Sequence, residues 1–335
     1  MKSKTGVLLI NLGTPDSPSV SDVRSYLSQF LNDPRVIDIP WLLRKILVNL
    51  IIVPFRAPKS AKIYQKLWTK DGSPLLFYSR RVQTLLNKEL GDGYDVHLAM
   101  RYKNPSIPSV LDEMRKKNYE RIIVLPMFPH YASASTGSAI DAVMRVVRSW
   151  WVLPDMKVIS QYYDHPLFID GFVERGKKYN ISEYDHVIFS YHGLPERQVD
   201  KAHSDGKCSN HPCATEINEE NRFCYKATCY ATTRLLVERL GISSDGYTVS
   251  FQSRLDQKWL MPFSDEVIKQ CAAKGMKKLL VFSPAFTADC LETIIEIGDE
   301  YQEIFHHAGG EKVQLVESLN DHPTWIACLK DLVLN

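Results

Sequence analysis

Three groups of residues in the 335-residue chain have the types and spacings that chemistry needs. The first is Ser190-Tyr191-His192-Gly193-Leu194-Pro195, where a histidine closes an apolar run and a glycine lets the backbone turn away at once. The second is Pro284-Ala285-Phe286-Thr287-Ala288-Asp289-Cys290-Leu291-Glu292-Thr293, continued by Glu296 and Glu300. Glu292, Glu296 and Glu300 are four residues apart and so fall on one face of a helix. Like charges at that spacing repel one another. Ile294, Ile295 and Ile297 supply an apolar side, and the ladder starts at a strand-end turn equivalent to that of His192. That placement favours a path for a cation or for protons over a merely solvated face.

The third group is Cys208, Cys213, Cys224 and Cys229, a C-x4-C-x10-C-x4-C pattern in a polar stretch that also holds His203, Asn210 and His211. Cys271, Cys290 and Cys328 are dispersed. Four thiols so close together are expected to ligate a metal or a cluster. Tetrahedral zinc usually has shorter spacing within each pair but permits this one. An all-thiolate [2Fe–2S] cluster is equally compatible with four cysteines.

The elements that must position these groups alternate. Strands are expected at 6–12, 94–101, 121–127, 156–161, 186–192, 247–252, 277–283 and 313–318. Helices are expected between them, at 106–118, 134–150, 229–240 and 261–274. This alternation predicts an α/β fold of two Rossmann-like lobes, parallel sheets flanked by helices, which bind ligands beyond the carboxyl ends of their strands. Residues 117–125 align with 274–282, and Val7 to Pro15 resembles Val187 to Pro195, so the lobes are expected to be related by approximate internal duplication. The expected division is 1–165, including a lip at about 41–70, and 166–335, with His192, Glu292, a Cys-rich insert at 203–229 and a last helix near 323–333. No flexible linker separates the lobes, which are expected to pack round a shared cleft. The first strand leads into Gly13-Thr14-Pro15-Asp16, not a dinucleotide-binding G-x-G-x-x-G, and neither a P-loop nor a G-x-S-x-G elbow occurs.

Composition bounds the alternatives. The chain is 44% hydrophobic and 24% charged, with a net charge of +2, which excludes a disordered polyelectrolyte and argues against a nucleic-acid partner. The near-neutral sum hides a segregation. Residues 41–70 hold seven bases (Arg44, Lys45, Arg56, Lys59, Lys62, Lys66, Lys70) and no acid. Residues 285–303 hold six acids (Asp289, Glu292, Glu296, Asp299, Glu300, Glu303) and no base. The opening Met1-Lys2-Ser3-Lys4-Thr5 and the apolar run Val7 to Ile10 are too short for an export signal, so a cytoplasmic location is expected. The most apolar stretch, Ile46 to Phe55, is too short and too interrupted to span a membrane.

Taken together, Ser-Tyr-His-Gly-Leu-Pro at 190–195, Phe286 to Thr293 and Tyr131-Ala132-Ser133-Ala134-Ser135-Thr136-Gly137-Ser138 resemble the ferrochelatase family, and the resemblance runs from Val7 to near Leu332. It implies a chelatase-like fold and a lyase that inserts Fe²⁺ into protoporphyrin IX with release of two protons. The alternatives are a coproporphyrin or cobalt chelatase, or a non-catalytic porphyrin or haem carrier. It implies His192 and Glu292 as the catalytic pair and metal ligands, without deciding which takes protons, and Glu296 and Glu300 as a proton or metal path. One imidazole and one carboxylate form an incomplete ligand set, suited to a metal that must be released. The implied porphyrin contacts are Asn11, Leu12, Arg56, Lys59, Tyr64, Ser73, Arg101, Tyr102, Trp259 and Phe286. Arg101 is alternatively a buried structural ion-pair partner.

A porphyrin is an apolar disc with anionic propionates, and the segment at 41–70 interleaves Trp41, Leu42, Leu43, Ile46, Leu47, Ile51 and Ile52 with its bases. It is expected to serve as a pocket lip, and as a peripheral contact with anionic membrane on the inner face. The sequence also allows a homodimer. Relatives commonly carry [2Fe–2S] ligands in a C-terminal extension, whereas here the thiols lie in the insert after the His192 strand. A [2Fe–2S] cluster on Cys208, Cys213, Cys224 and Cys229 is the expectation, with structural zinc as the alternative.

Overall fold

The computed structural model describes residues 5–335. The opening Met1-Lys2-Ser3-Lys4, weighed above as part of an export signal, lies outside the described residues. All eight expected strands form: β1 Thr5–Gly13, β2 Tyr94–Tyr102, β3 Arg121–Pro126, β4 Asp155–Val158, β5 His186–His192, β6 Tyr247–Gln252, β7 Lys278–Phe282 and β8 Lys312–Leu315. They build two parallel four-stranded sheets with the orders β2-β1-β3-β4 and β6-β5-β7-β8. The second order is the first with every strand shifted by four. The aligned segments 117–125 and 274–282 lead into β3 and β7, and Val7 and Val187 lie in β1 and β5. The repeat in sequence is therefore a repeat of topology. The edge strands β4 and β8 have four residues each, shorter than their apolar runs suggested. An edge strand is paired on one side only, so less of it is held in the ladder.

The described residues form two compact units: those up to 128 with 132–160 and 329–335 in the first, 129–131 and 161–328 in the second. The helices are α1 Val20–Leu31, α2 Trp41–Ile46, α3 Val53–Leu67, α4 Pro74–Leu90, α5 Ile107–Lys117, α6 Ser138–Val147, α7 Pro166–Gly176, α8 Glu196–Asp200, α9 Tyr225–Leu240, α10 Ser264–Ala273, α11 Gln302–His307 and α12 Pro323–Leu334. In the first unit, Leu8, Ile10 and Val124 of the sheet pack with Val110, Leu111, Met114 and Val143 of α5 and α6. In the second, Ile188, Leu279 and Val281 pack with Val267, Ile268, Ile297 and Phe305. Strands buried on both faces read as continuous apolar runs, and this is why they were visible in sequence.

Among the described residues, three segments are π-helical: Leu47–Ile52 between α2 and α3, Ser133–Gly137 before α6, and Glu292–Tyr301 before α11. π-turns are rare and concentrate at functional sites. A further departure is α9, which starts at Tyr225 and not near residue 229, with Cys224 as its N-cap. No helix among the described residues is long and apolar enough to cross a membrane.

Candidate active site

His192 ends β5, an inner strand of the second sheet, in register with Gln252 at the end of β6. Its Nδ1 lies 2.6 Å from the Gly193 carbonyl oxygen. A carbonyl can only accept, so Nδ1 carries the proton and Nε2 is the basic nitrogen. The main chain is fixed too, because the Tyr225 hydroxyl donates to the His192 carbonyl at 2.9 Å. Gly193 earns its place by close approach: its amide donates to the Gln252 carbonyl at 2.8 Å, and a Cβ there would come within 2.8 Å of the same oxygen. Phe286 lies beside the imidazole, ring centroids 6.3 Å apart. Trp259, half-buried, bridges to Pro195 just after the motif. Behind the strand, fully buried His130 packs edge-on to Tyr191 at 5.3 Å and bonds the Thr232 hydroxyl at 2.9 Å. Burial lowers its pKa to about 3, so it stays neutral.

The acidic ladder lies on the π-helix Glu292–Tyr301. A π-turn closes its bonds at i→i+5, so a residue four further on is still nearly in line and the three glutamates keep one side. They differ in surroundings. Glu292 and Glu296 are half-buried and Glu300 is exposed. Glu296 is held by four donors: the Ser253 amide at 2.8 Å, the Ser253 hydroxyl at 2.5 Å, the Tyr301 hydroxyl at 3.1 Å and the Gln252 amide at 3.2 Å. Burial and the Glu296 charge push the Tyr301 pKa up, so it remains a donor. Gln252 also donates to the Glu292 carbonyl at 2.9 Å and accepts from Ser190 at 2.7 Å, joining the ends of β5 and β6 to the π-helix. Sequence reasoning missed it, although its place at the end of an expected strand was the available signal. Cys290 is buried, and burial with the Glu292 charge beside it holds its thiol well above the ordinary range. Asp289 belongs to the turn, where Asn320, Thr293 and the Ser318 amide bond its carboxylate.

The first-unit candidates fall into three kinds. Asn11 and Leu12 end β1, with Asn11 buried and bonded to Ser79 at 3.2 Å. Beyond them Gly13 has φ +113°, and a Cβ there would meet the Tyr102 carbonyl. Arg101 and Tyr102 at the end of β2 bind one carboxylate: Arg101 pairs with Asp33 at 2.5 Å and the Tyr102 hydroxyl donates to Asp33 at 2.9 Å. Ser138 joins them, and its hydroxyl with the Arg101 charge keeps the Asp33 pKa low despite burial that would raise it. These contacts fit the ion-pair alternative for Arg101. Ser73 and Tyr64 are buried, the Ser73 hydroxyl without a hydrogen-bond partner, while Arg56 and Lys59 of α3 are exposed.

The lip runs from α2 through the first π-segment to α3. Trp41, Leu42, Leu43, Ile46, Leu50, Ile51 and Phe55 form its exposed apolar side, with Phe55 74% exposed. One of its seven bases is spent internally: Arg44 is buried and donates to the Ile37 and Ile39 carbonyls at 3.2 and 2.8 Å.

In the insert, the donor set differs from the expected four cysteines. Cys208, Cys213 and Cys224 gather with His203, all buried, their ligand atoms within 4.8 Å of one another. Cys229 is not in this group. It lies inside α9 against Tyr225, and burial pushes its thiol well up. The neighbouring Cys224 thiol, then burial, raise Cys208, and burial raises Cys213 to about 11.

The fold and the strand-end site define a class before any relative is considered. Over 99% of the chain, the structure resembles SirB from Bacillus subtilis with Fe³⁺, at a TM-score of 0.53 and 12% identity, covering 94% of that chain. It also resembles the sirohydrochlorin chelatase SirB of Bacillus subtilis subspecies spizizenii in complex with cobalt, at 0.51 and 9%, over 98% of this chain and 93% of the other. At such identities the likeness shows the fold alone, a duplicated chelatase-like α/β architecture. The ferrochelatase family model matches residues 4–335. Ferrochelatase of Legionella pneumophila strain Lens is 43% identical over 331 residues, 98% of both chains. That of Coxiella burnetii strain Dugway 5J108-111 is 44% identical over 328 residues, 97% of this chain and 91% of the other. The chain belongs to the ferrochelatase family, porphyrin metal chelatases of the lyase class.

Proposed function

We propose that this chain inserts Fe²⁺ into protoporphyrin IX, giving protohaem and two protons. The observation that carries the reading is the end of β5: His192 with its Nδ1 proton committed to a carbonyl, in register with a glutamine that reaches Glu292 and Glu296. Each of two pyrrole N–H bonds breaks and leaves its electron pair on nitrogen, which donates it to the iron. No electron is transferred. His192 Nε2 takes a proton as it leaves, and Glu292 meets the metal. Glu296, fully hydrogen-bonded, acts as a fixed negative charge, and exposed Glu300 is the solvent end of the path. Asp289 takes no part, because its carboxylate is used within the turn.

Asn11, Leu12, Arg56, Lys59, Tyr64, Ser73, Arg101, Tyr102, Trp259 and Phe286 remain the proposed macrocycle contacts, with Arg101 and Tyr102 acting through Asp33. The apolar side of the lip and the exposed bases beside it support contact with the macrocycle and with anionic membrane on its inner face. The test is anaerobic metalation by the purified chain, followed by loss of the free-base spectrum. Protoporphyrin and coproporphyrin are compared, each with Fe²⁺ and Co²⁺. Faster turnover of protoporphyrin with Fe²⁺ is expected. A preference for coproporphyrin, or no rate above the uncatalysed one, overturns the reading.

A further inference from the structure

We propose that His203, Cys208, Cys213 and Cys224 hold one tetrahedral metal ion, zinc in the resting protein, and that Cys229 is not a ligand. This inference is independent of the porphyrin specificity proposed above. The first support is size. Cys208 Sγ is 3.7 Å from Cys224 Sγ, Cys213 Sγ is 3.7 Å from His203 Nε2, and all four donors lie within 4.8 Å of one another. Bond lengths of about 2.3 Å to sulfur and about 2.0 Å to nitrogen, at tetrahedral angles, give donor separations of roughly 3.5–3.8 Å. A disulfide would need its sulfurs at about 2.05 Å. A [2Fe–2S] cluster shares its four ligands between two irons joined by bridging sulfides, so ligands on opposite irons stand further apart than ligands on the same iron. Four donors within 4.8 Å of one another match the ligands of one ion and not ligands spread over two irons.

The second support is helical phase. Cys224 caps α9, and Cys229 follows five residues later inside it. Five residues on an α-helix turn the side chain about 140° away from the starting face. Cys229 accordingly lies against the Tyr225 hydroxyl and not with the other thiols.

The third support is that the surrounding chain holds these donors in place. The Cys208 amide donates to Asp200 at 2.8 Å, the Cys213 amide to the His211 carbonyl at 2.8 Å, and the Cys224 amide to the Asn221 carbonyl at 2.8 Å. His203 stacks on His211 at 4.2 Å, and His211 is fixed by Asp205 at 3.0 Å and Glu220 at 3.3 Å. The buried Nδ1 of His203 has no hydrogen-bond partner, so the polar contact of this ring is through Nε2 with the thiol group. Three thiolates and an imidazole form a closed set suited to a structural zinc. The consequence reaches the active site, because Tyr225, next to Cys224, donates to the His192 carbonyl. The metal therefore clamps a segment that leaves the His192 strand through α8 and returns to it through α9.

The experiment measures metal by elemental analysis, acid-labile sulfide and the visible spectrum. The full-length chain is expressed with both zinc and iron supplied, and Co²⁺ replaces the metal in a second sample. One zinc per chain, no labile sulfide and the d–d bands of tetrahedral thiolate-bound Co²⁺ are expected. Cys229→Ser should keep the metal, and His203→Ala and Cys208→Ser should lose it. His203→Cys, which restores a fourth thiol, should keep it if the alanine variant fails to fold. Two irons and two sulfides per chain, lost in Cys229→Ser and kept in His203→Ala, would overturn the proposal. A chain that takes up neither Zn²⁺ nor Co²⁺, or that holds a single iron in place of zinc, would also overturn it as stated.

Discussion

Two regions of the second unit present metal-binding side chains, and they are built on opposite plans. In the insert, three thiols and an imidazole are buried and gathered within 4.8 Å, four potential donors for one ion. At the end of β5, one imidazole and one carboxylate are half-buried, and the neighbouring glutamate is already saturated by Ser253, Tyr301 and Gln252. A closed set holds a metal for the life of the protein, while an incomplete set can pass it on. The difference teaches that metal-ligating residue types alone do not say how a site would use a metal; the number of donors and their closure bear on that.

The widest separation between the regions is expected in activity. His192→Ala should lower the metalation rate by about 10²–10⁴, the usual contribution of a general base, and leave the metal content of the insert unchanged. Near-normal turnover would remove His192 from the mechanism. The reverse is expected for Cys224→Ser, which should lose the insert metal and about 4 kcal/mol of stability in urea denaturation, as the loss of a structural metal does. Retained stability would show that the insert is closed by its hydrogen bonds alone.

Acid should affect the ground beneath the open site through His130. Its folded pKa, near 3, lies below the ordinary value of 6.5. As pH falls below 6.5 the unfolded chain binds a proton that the folded chain refuses, so stability falls until pH approaches 3. One such group amounts to about 1.4 kcal/mol per pH unit at its steepest. In His130→Phe, the loss of unfolding free energy between pH 6 and pH 5 should shrink by roughly 1 kcal/mol. An unchanged pH slope would mean that His130 is protonated in the fold.

Smaller effects should grade the open site from within. Gln252→Leu removes the amide shared by Glu292 and Glu296, and metalation should fall about tenfold, the equivalent of one or two lost hydrogen bonds. Glu300→Gln, at the exposed end, should raise the KM for metal by about twofold and leave kcat unchanged, as expected of an exposed charge acting at a distance. A larger loss at Glu300 than at Gln252 would place the control of metal entry at the surface.

Legibility in the sequence differed between these same regions. The strand-end position of His192 could be read because β5 and β6 are apolar runs that stop at His192 and Gln252, and parallel sheets place strand ends at the binding edge. The role of Gln252 was hidden, since a glutamine has no chemistry of its own and its partners lie 40 and 44 residues away. The insert was legible as a candidate metal site, but not the grouping of its side chains. The four-cysteine count suggested four ligands, but Cys229, first residue of the expected helix, lies inside α9 and apart from the group of His203, Cys208, Cys213 and Cys224. His203 was noted among polar neighbours and not as a ligand. Charge behaved likewise: Arg44 and Asp289, counted among the bases and acids of their segments, are each bound internally, and Arg101 makes the ion pair that was its alternative reading.

The sequence by itself determined the two parallel sheets and their repeat, the strand-end position of His192, the acidic ladder and the apolar, basic lip. These follow from local periodicity and composition, which each short segment carries within itself. Only the tertiary structure decided which potential donors gather, which charges are already paired, and that Gln252 ties His192's strand to the glutamates. Ligand sets and hydrogen-bond partners join residues distant in the chain, and their selection depends on helix phase and loop closure that no single segment encodes.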